Sequence, residues 1–253
     1  MSNEHRIYST KININTDEVK SFYNKRAQRA EEMDCPYTAV LLGDQDPGHA
    51  AKWNEFEKQY ILPELMVNEK SNVLDIGCGM GRWAEAFIPL CGYYCGVDYS
   101  EDMVELAKKR IVIPEKEYDF DCCSFLDLVS HKGHIPKKKF NAVVIAGVCM
   151  YINDEELKNC FKGLTELLAD NCILYLTETI GNEERLTLNA FYSNALQDNY
   201  DVIYRTAQEY NSMYQPLYDK GFEVVKQDYL PKLNKEEEYS ETDRWYSILR
   251  RRV

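Results

Sequence analysis

The sequence predicts a doubly wound α/β domain, a parallel sheet with helices on both faces, preceded by an N-terminal helical cap. Three observations carry that expectation. From Asn72 onward, short apolar runs alternate with helix-length segments, the rhythm of βαβ units. One of those runs, Val73-Leu74-Asp75-Ile76, leads directly into the glycine-rich turn Gly77-Cys78-Gly79-Met80-Gly81. A chain of 253 residues with 45% hydrophobic and 28% charged side chains buries one large core rather than two.

The first helix is expected to open at Asn15, with Glu18 as its capping-box partner. It carries Val19, Phe22, Tyr23, Ala27 and Ala30 on one face, bordered by Arg26 and Arg29. In the turn-rich stretch that follows, Asp46-Pro47-Gly48 is expected to end any regular element and to leave His49 in a loop. Trp53, Phe56, Tyr60 and Ile61 then recur at helical spacing as far as Pro63. Residues 1–66 therefore read as the cap and 67–253 as the main domain.

Strands are expected over 72–76, 93–98, 117–123, 141–147 and 172–178. Helices are expected to start near Gly81, near Ser100 with Glu101 and Asp102 in the first turn, and at Asn153 with Glu156 three residues on. The last of these aligns Leu157, Phe161, Leu164 and Leu168. A further helix, capped by Thr206 with Glu209, runs through Tyr210, Met213, Tyr214 and Leu217 to Gly221. Strands over 222–230 and 244–251 close the chain, and the charged connection 232–243 between them reads as a solvated hairpin.

Charge and cysteine content narrow the function. Thirty basic against forty-two acidic residues leave a net charge of −12, which repels nucleic-acid phosphates and anionic lipid. No run approaches the ~20 apolar residues of a membrane span, and the first residues lack the apolar core of a signal peptide, so the expected compartment is the cytoplasm. Nine cysteines without zinc-type spacing read as reduced thiols, including the pairs Cys91/Cys95 and Cys122/Cys123, with no metal expected. Among nineteen tyrosines, some are expected to line a pocket with their hydroxyls. His131 and His134 fall in a basic loop that reads as solvated.

The glycine turn discriminates between cofactors. A dinucleotide fold asks for G-x-G-x-x-G, with the third glycine where the pyrophosphate meets the helix. Here that position is Arg82, and Asp75 sets a carboxylate at the strand end that would repel a diphosphate and suit an ammonium group. Twenty-one residues past Gly77 the next strand ends in Asp98, placed to accept both hydroxyls of a ribose, followed by Tyr99. No useful affinity for nicotinamide dinucleotides is expected.

The segments LDIGCGMGRW and GVDYSEDM resemble the first two motifs of the class I S-adenosylmethionine-dependent methyltransferases, and the resemblance extends over about residues 70–250. It implies a seven-stranded, mostly parallel Rossmann-like sheet whose last strands end antiparallel, with S-adenosyl-L-methionine as cofactor and S-adenosyl-L-homocysteine as product. It places Asp75, Gly77, Cys78, Gly79 and Arg82 around the methionine part and ribose, with Cys78 read as a small residue tolerated in the turn and not as a nucleophile. Asp98 would hold the ribose hydroxyls, with Tyr99 and Met103 against adenine. Where the family often has Asp after the third strand, this chain has Ser124 and Phe125. NAVVIAGVCMYI matches the fourth-strand motif with Asn141 where Asp is usual, bringing Ala146, Gly147 and Val148 to the methionine portion and Tyr151 to the substrate.

Methyl transfer from a sulfonium requires an acceptor atom within ~3–3.5 Å of the methyl, in line with sulfur, and a hydroxyl acceptor also gains from a base. The candidates are His49 and Glu178, against the plainer readings of a surface loop residue and a turn cap. The cap resembles the amino-terminal region of methyltransferases of capsule and surface-polysaccharide pathways, including those that methylate phosphoramidate groups. Arg26, Arg29 and Tyr37 would then hold an anionic, sugar-type or phosphorylated acceptor methylated at oxygen, or the cofactor carboxylate, against the plainer reading of surface arginines on an amphipathic helix. The alternatives are a small-molecule N-methyltransferase and a non-catalytic cofactor-binding subunit. Oligomeric state is left open.

Overall fold

A computed structural model of the chain describes residues 5–44, 46–132, 138–233 and 241–252. The basic loop around His134 and most of the charged hairpin 232–243 lie outside the described residues. Among the described residues, ten strands form two sheets. The larger contains β2 (Asn72–Ile76), β3 (Tyr93–Asp98), β4 (Tyr118–Cys122), β5 (Phe140–Ala146), β6 (Leu168–Gly181), β9 (Glu223–Tyr229) and β10 (Thr242–Arg251). Their order is β4-β3-β2-β5-β6-β10-β9, with β4 through β6 parallel and β10 antiparallel to both its neighbours. This is the seven-stranded Rossmann-like methyltransferase sheet, with all seven predicted strands present.

The strand sequences explain the layering. β3 is buried along its whole length and β2 over its last four residues, which is why they read as continuous apolar runs instead of alternating ones. Leu74, Ile76, Val143 and Ile145 face one layer, with Leu157 and Phe161 of α7 (Asp154–Leu164) and Tyr210 of α8 (Ala207–Met213). Val73, Ala142 and Val144 face the other, with Trp53 and Ile61 of α3 (Pro47–Leu65), Phe87 of α4 (Ala84–Phe87) and Val104 of α5 (Glu101–Arg110). Strand order reverses at β2, so the carboxyl ends of β2, β3 and β5 open a crevice at the position where such sheets bind ligands.

Several local expectations change. Asp46-Pro47-Gly48 opens a helix: Asp46 caps it by accepting from the His49 amide at 3.3 Å, and Pro47 occupies the first turn, where its missing N–H has no partner to lose. α3 also passes through Pro63 and ends at Met66, φ 50°, because Leu65 is still buried against the sheet face. The helix near Gly81 is reduced to the single turn of α4. Asn153 does not cap α7 with its side chain, which accepts from Ile14 N at 2.9 Å and donates to Ile14 O. The Thr206–Glu209 capping box forms as expected, but its helix breaks at Tyr214 before α9 (Gln215–Tyr218).

The smaller sheet was not anticipated. β1 (Arg6–Tyr8) pairs with β7 (Leu186–Ser193), which pairs with β8 (Asp198–Tyr204), all antiparallel. It lies beside α1 (Thr16–Arg29), whose Phe22 packs on Tyr200. The cap is thus assembled from the first residues and from an insertion 110 or more positions beyond its nominal end. α2 (Thr38–Leu41) and α6 (Phe125–Val129) complete the elements that border the crevice. All nine cysteines are free thiols, eight of them buried. No helix among the described residues is long and apolar enough to cross a membrane.

Candidate active site

The glycine turn is shaped by Asp98 from below. Its Oδ2 accepts from Gly79 N and its Oδ1 from Ser100 N, both at 2.9 Å, so one carboxylate ties the turn after β2 to the start of α5. Burial pushes this carboxyl up to about 6, against the backbone donors that favour its charge. Gly77 has φ 71°, and a Cβ there would lie 2.2 Å from Val148 Cγ2, so only glycine lets the two loops meet.

Above this floor a cavity of about 220 Å³ is lined by Gly77, Gly79, Asp98, Tyr99, Met103, Ser124, Phe125, Ala146, Gly147, Val148 and Tyr151. The sequence had assigned every one of these to the cofactor or to its border with the acceptor. Ser124 caps α6 through Asp127 N, fixing the Ser124–Phe125 edge. The Tyr99 hydroxyl is buried on this cavity without a hydrogen-bond partner, and the Asp98 oxygens retain lone pairs beyond the two amides they accept. An orphaned hydroxyl and an unsaturated carboxylate fit a ligand bearing an adenine and a ribose diol. The cap contributes residues that sequence reasoning missed: Thr16 and Tyr23 of α1 and Val40 of α2 close the same cavity.

A second chamber of about 140 Å³ adjoins the first, and both share Tyr23, Val40, Ala146, Gly147 and Tyr151. It adds Glu57, Arg82, Glu178, Tyr200, Tyr204 and Arg244. Three hydroxyls run along its wall: Tyr23 donates to Tyr151 at 2.8 Å, and Tyr151 and Tyr200 are 2.6 Å apart. Burial pushes all three phenols up, which keeps them protonated at neutral pH. Arg82 donates to Glu57 at 2.8 Å, and Glu57 also accepts from Tyr175. Arg244 lies over the Trp53 ring at 4.1 Å.

Other assignments do not stand. Arg26 is 6% exposed and its guanidinium is taken up by the Ala39 and Thr38 carbonyls and by Asp44 at 2.9 and 3.0 Å. It braces α1 against α2 and Asp44 and lines neither chamber. Arg29 is exposed on the far side of α1, and Tyr37 donates to Glu85 in a surface cluster with Lys58 and Arg110. His49 sits in the first turn of α3, stacked on Trp53, and lines neither chamber. Arg82 faces the second chamber and not the first. Asp75 is buried beneath the turn, accepting from Tyr94 at 2.7 Å, where burial pushes it up to about 7, and Cys78 packs toward Gly96. Glu178 does reach the second chamber, but its oxygens accept from Val148, Cys149 and Met150 N at 3.1, 2.7 and 3.2 Å. The turn-capping reading of Glu178 is the one realised.

Comparison with known proteins agrees with this geometry. Residues 73–171 match the family described as methyltransferase domain. Over 116 residues, 43% of this chain, the sequence is 28% identical to an uncharacterized methyltransferase of Schizosaccharomyces pombe, and the match spans 39% of that protein's length. A SAM-dependent methyltransferase of Leishmania major superposes with a TM-score of 0.61 at 16% identity, covering 98% of each chain. Phosphoethanolamine N-methyltransferase 1 of Haemonchus contortus, solved with phosphoethanolamine and S-adenosylhomocysteine, gives a TM-score of 0.69 at 16% identity, covering 94% of this chain and 49% of its own. The fold is that of the class I methyltransferases. Residues 73–171 carry a methyltransferase domain, and several structures that share the fold were solved with bound S-adenosyl-L-methionine or S-adenosyl-L-homocysteine.

Proposed function

We propose that the protein transfers a methyl group from S-adenosyl-L-methionine to an oxygen of a small, polar, anionic acceptor. One observation carries this reading: the cavity above the glycine turn and a second chamber are lined in common by Tyr23, Gly147 and Tyr151, which sets two sites side by side as in-line transfer between two bound molecules requires. Asp98 holds the ribose hydroxyls, Tyr99, Met103, Ser124 and Phe125 surround adenine, and Gly77, Gly79 and Gly147 admit the methionine part. The cofactor supplies an electrophilic methyl on a positively charged sulfur. The chain's own residues exclude water, orient the acceptor and leave its reacting atom near the Tyr151 hydroxyl.

Two features support an anionic oxygen. Arg82 and Arg244 line the second chamber and take the place of Arg26 and Arg29 as the cationic side chains that would face the acceptor. Both carboxylates lining that chamber are committed, Glu57 to Arg82 and Tyr175, Glu178 to three amides. An oxygen that arrives ionised needs no base, whereas an ammonium must first lose a proton. Phosphorylated sugars and phosphoramidates, the chemistry suggested by the cap's resemblance to surface-polysaccharide enzymes, are the first acceptors to test. The tyrosine rings of the same chamber favour a second reading, an amine acceptor held against aromatic faces. Two adjoining chambers favour an enzyme over a cofactor-binding subunit. We also propose a reducing, cytoplasmic compartment, supported by nine free thiols.

Labelled S-adenosyl-L-methionine offered with phosphorylated sugars, phosphorylated amino acids, neutral glycans and amines separates these readings. Methyl label on an anionic oxygen is expected. Preferential labelling of amines overturns the oxygen assignment.

A further inference from the structure

The short turn that carries Tyr151 is held from both ends by buried charges. On its amino side, three successive amides, those of Val148, Cys149 and Met150, converge on the Glu178 carboxylate, which is 2% exposed. On its carboxyl side, Arg205, fully buried, donates to the Cys149 carbonyl at 2.7 Å and the Ile152 carbonyl at 2.6 Å. The same guanidinium is braced by Asp154 Oδ1 at 2.9 and 2.7 Å, and Asp154 is braced in turn by Arg185. Cys149 is therefore gripped by its N–H from an anion and by its C=O from a cation.

What the turn presents explains the expense of burying two charges for it. Val148 is the side chain against which Gly77 closes, so the turn sets the wall of the cofactor cavity. Tyr151 is the residue where the two chambers meet, and its hydroxyl is the middle member of the chain from Tyr23 in the cap to Tyr200 in the smaller sheet. Glu178 comes from β6 and Arg205 from the segment just after β8, so the grip also joins the main sheet to the cap insertion.

We propose that Glu178 and Arg205 are positioning residues that fix the Val148–Tyr151 turn, and with it the Tyr151 hydroxyl, at the junction between cofactor and acceptor. The proposal rests on the reading of Tyr151 as the junction residue. Neither residue touches the reacting atoms; both act through the backbone of the turn. An ordinary buried ion pair would satisfy charge alone, whereas positioning needs the forked geometry of the guanidinium, which lysine cannot reproduce.

The test uses the full chain labelled at the tyrosine ring carbon bonded to oxygen, with Tyr151→Phe to identify the Tyr151 signal, and calorimetry with S-adenosylhomocysteine. In Arg205→Lys the signals of Tyr151, Tyr23 and Tyr200 are expected to move, those of distant Tyr118 and Tyr229 to stay, and the Kd for S-adenosylhomocysteine to rise about tenfold, the scale of losing a charged hydrogen bond. Glu178→Gln, which keeps the side chain's shape, is expected to give the same pattern and decides the matter if the lysine variant does not fold. A folded variant with a lower Tm but wild-type Tyr151 signal and Kd makes Arg205 a purely structural residue and overturns the proposal. The tyrosine spectra are recorded without ligand, so a wild-type chain that fails to bind S-adenosylhomocysteine counts against the cofactor reading and not against the clamp.

Discussion

Asp98→Asn separates the cofactor role of this residue from its structural one. The substitution keeps shape and removes charge. In the folded protein burial raises the carboxyl from 3.8 to about 6, and each pH unit corresponds to about 1.4 kcal/mol, so at pH 7 the buried charge costs the fold roughly 3 kcal/mol. Asparagine avoids that cost. It can accept from Gly79 N or Ser100 N but not both, and losing one charge-assisted bond costs about 1.5–3 kcal/mol. The two terms nearly cancel, so the melting temperature is expected to change by only a few degrees. Cofactor binding has no such compensation: a ribose diol loses its charged acceptor, worth about 1.5–3 kcal/mol, or roughly a ten- to hundredfold rise in Kd. Calorimetry with S-adenosylhomocysteine and a melting curve of the apo protein measure both quantities. An unchanged Kd with an intact fold refutes the ribose assignment, and collapse of the fold refutes the cancellation.

Gly77→Ala adds a Cβ 2.2 Å from Val148 Cγ2 at φ 71°, and is expected to destabilise the protein by roughly 2–4 kcal/mol and to abolish measurable S-adenosylhomocysteine binding; a wild-type melting curve contradicts the packing argument. Arg26→Met unpairs Asp44 and two carbonyls and is expected to lower the apo melting temperature by roughly 5–10 °C, whereas an unchanged value means the brace is dispensable. Asp75 and Glu178 are raised to about 7 and Asp98 to about 6, so the folded state holds protons that the unfolded chain releases near pH 4. The stability they contribute is full below pH 4 and is lost as pH rises through 6 to 7. Apo stability is therefore expected to fall between about pH 4 and 7 and to level off above, while S-adenosylhomocysteine affinity, which needs ionised Asp98, rises; Asp75→Asn should flatten the stability slope, and a slope left unchanged refutes its raised protonation.

The main sheet was legible because its central strands are buried on both faces and so appear as uninterrupted apolar runs. The proposed cofactor cavity was legible because one loop carries the glycines and the next strand end carries Asp98. The cap was not. β7 and β8 mix Asn, Asp and Ser among their apolar residues, and β1 pairs with β7 across more than 170 positions, a distance at which no local pattern reports. Tyr23 had been placed on the apolar face of the first helix without sign that its hydroxyl would meet Tyr151. Arg26 showed the opposite error: an arginine beside an apolar face looks available for an anion, and only the fold reveals that its donors are spent on the carbonyls of α2 and on Asp44. Pro47 misled because Asp-Pro-Gly suits a turn and a helix start equally well; the Asp46 cap decides between them.

The most direct measurement is a crystal structure of the full chain with S-adenosylhomocysteine. The account predicts the ribose hydroxyls on Asp98, adenine between Tyr99, Met103 and the Ser124–Phe125 edge, and the sulfur at the junction facing Tyr23 and Tyr151, with Arg82 and Arg244 across the second chamber. Sulfur directed away from that chamber, or a ribose bound without Asp98, contradicts it.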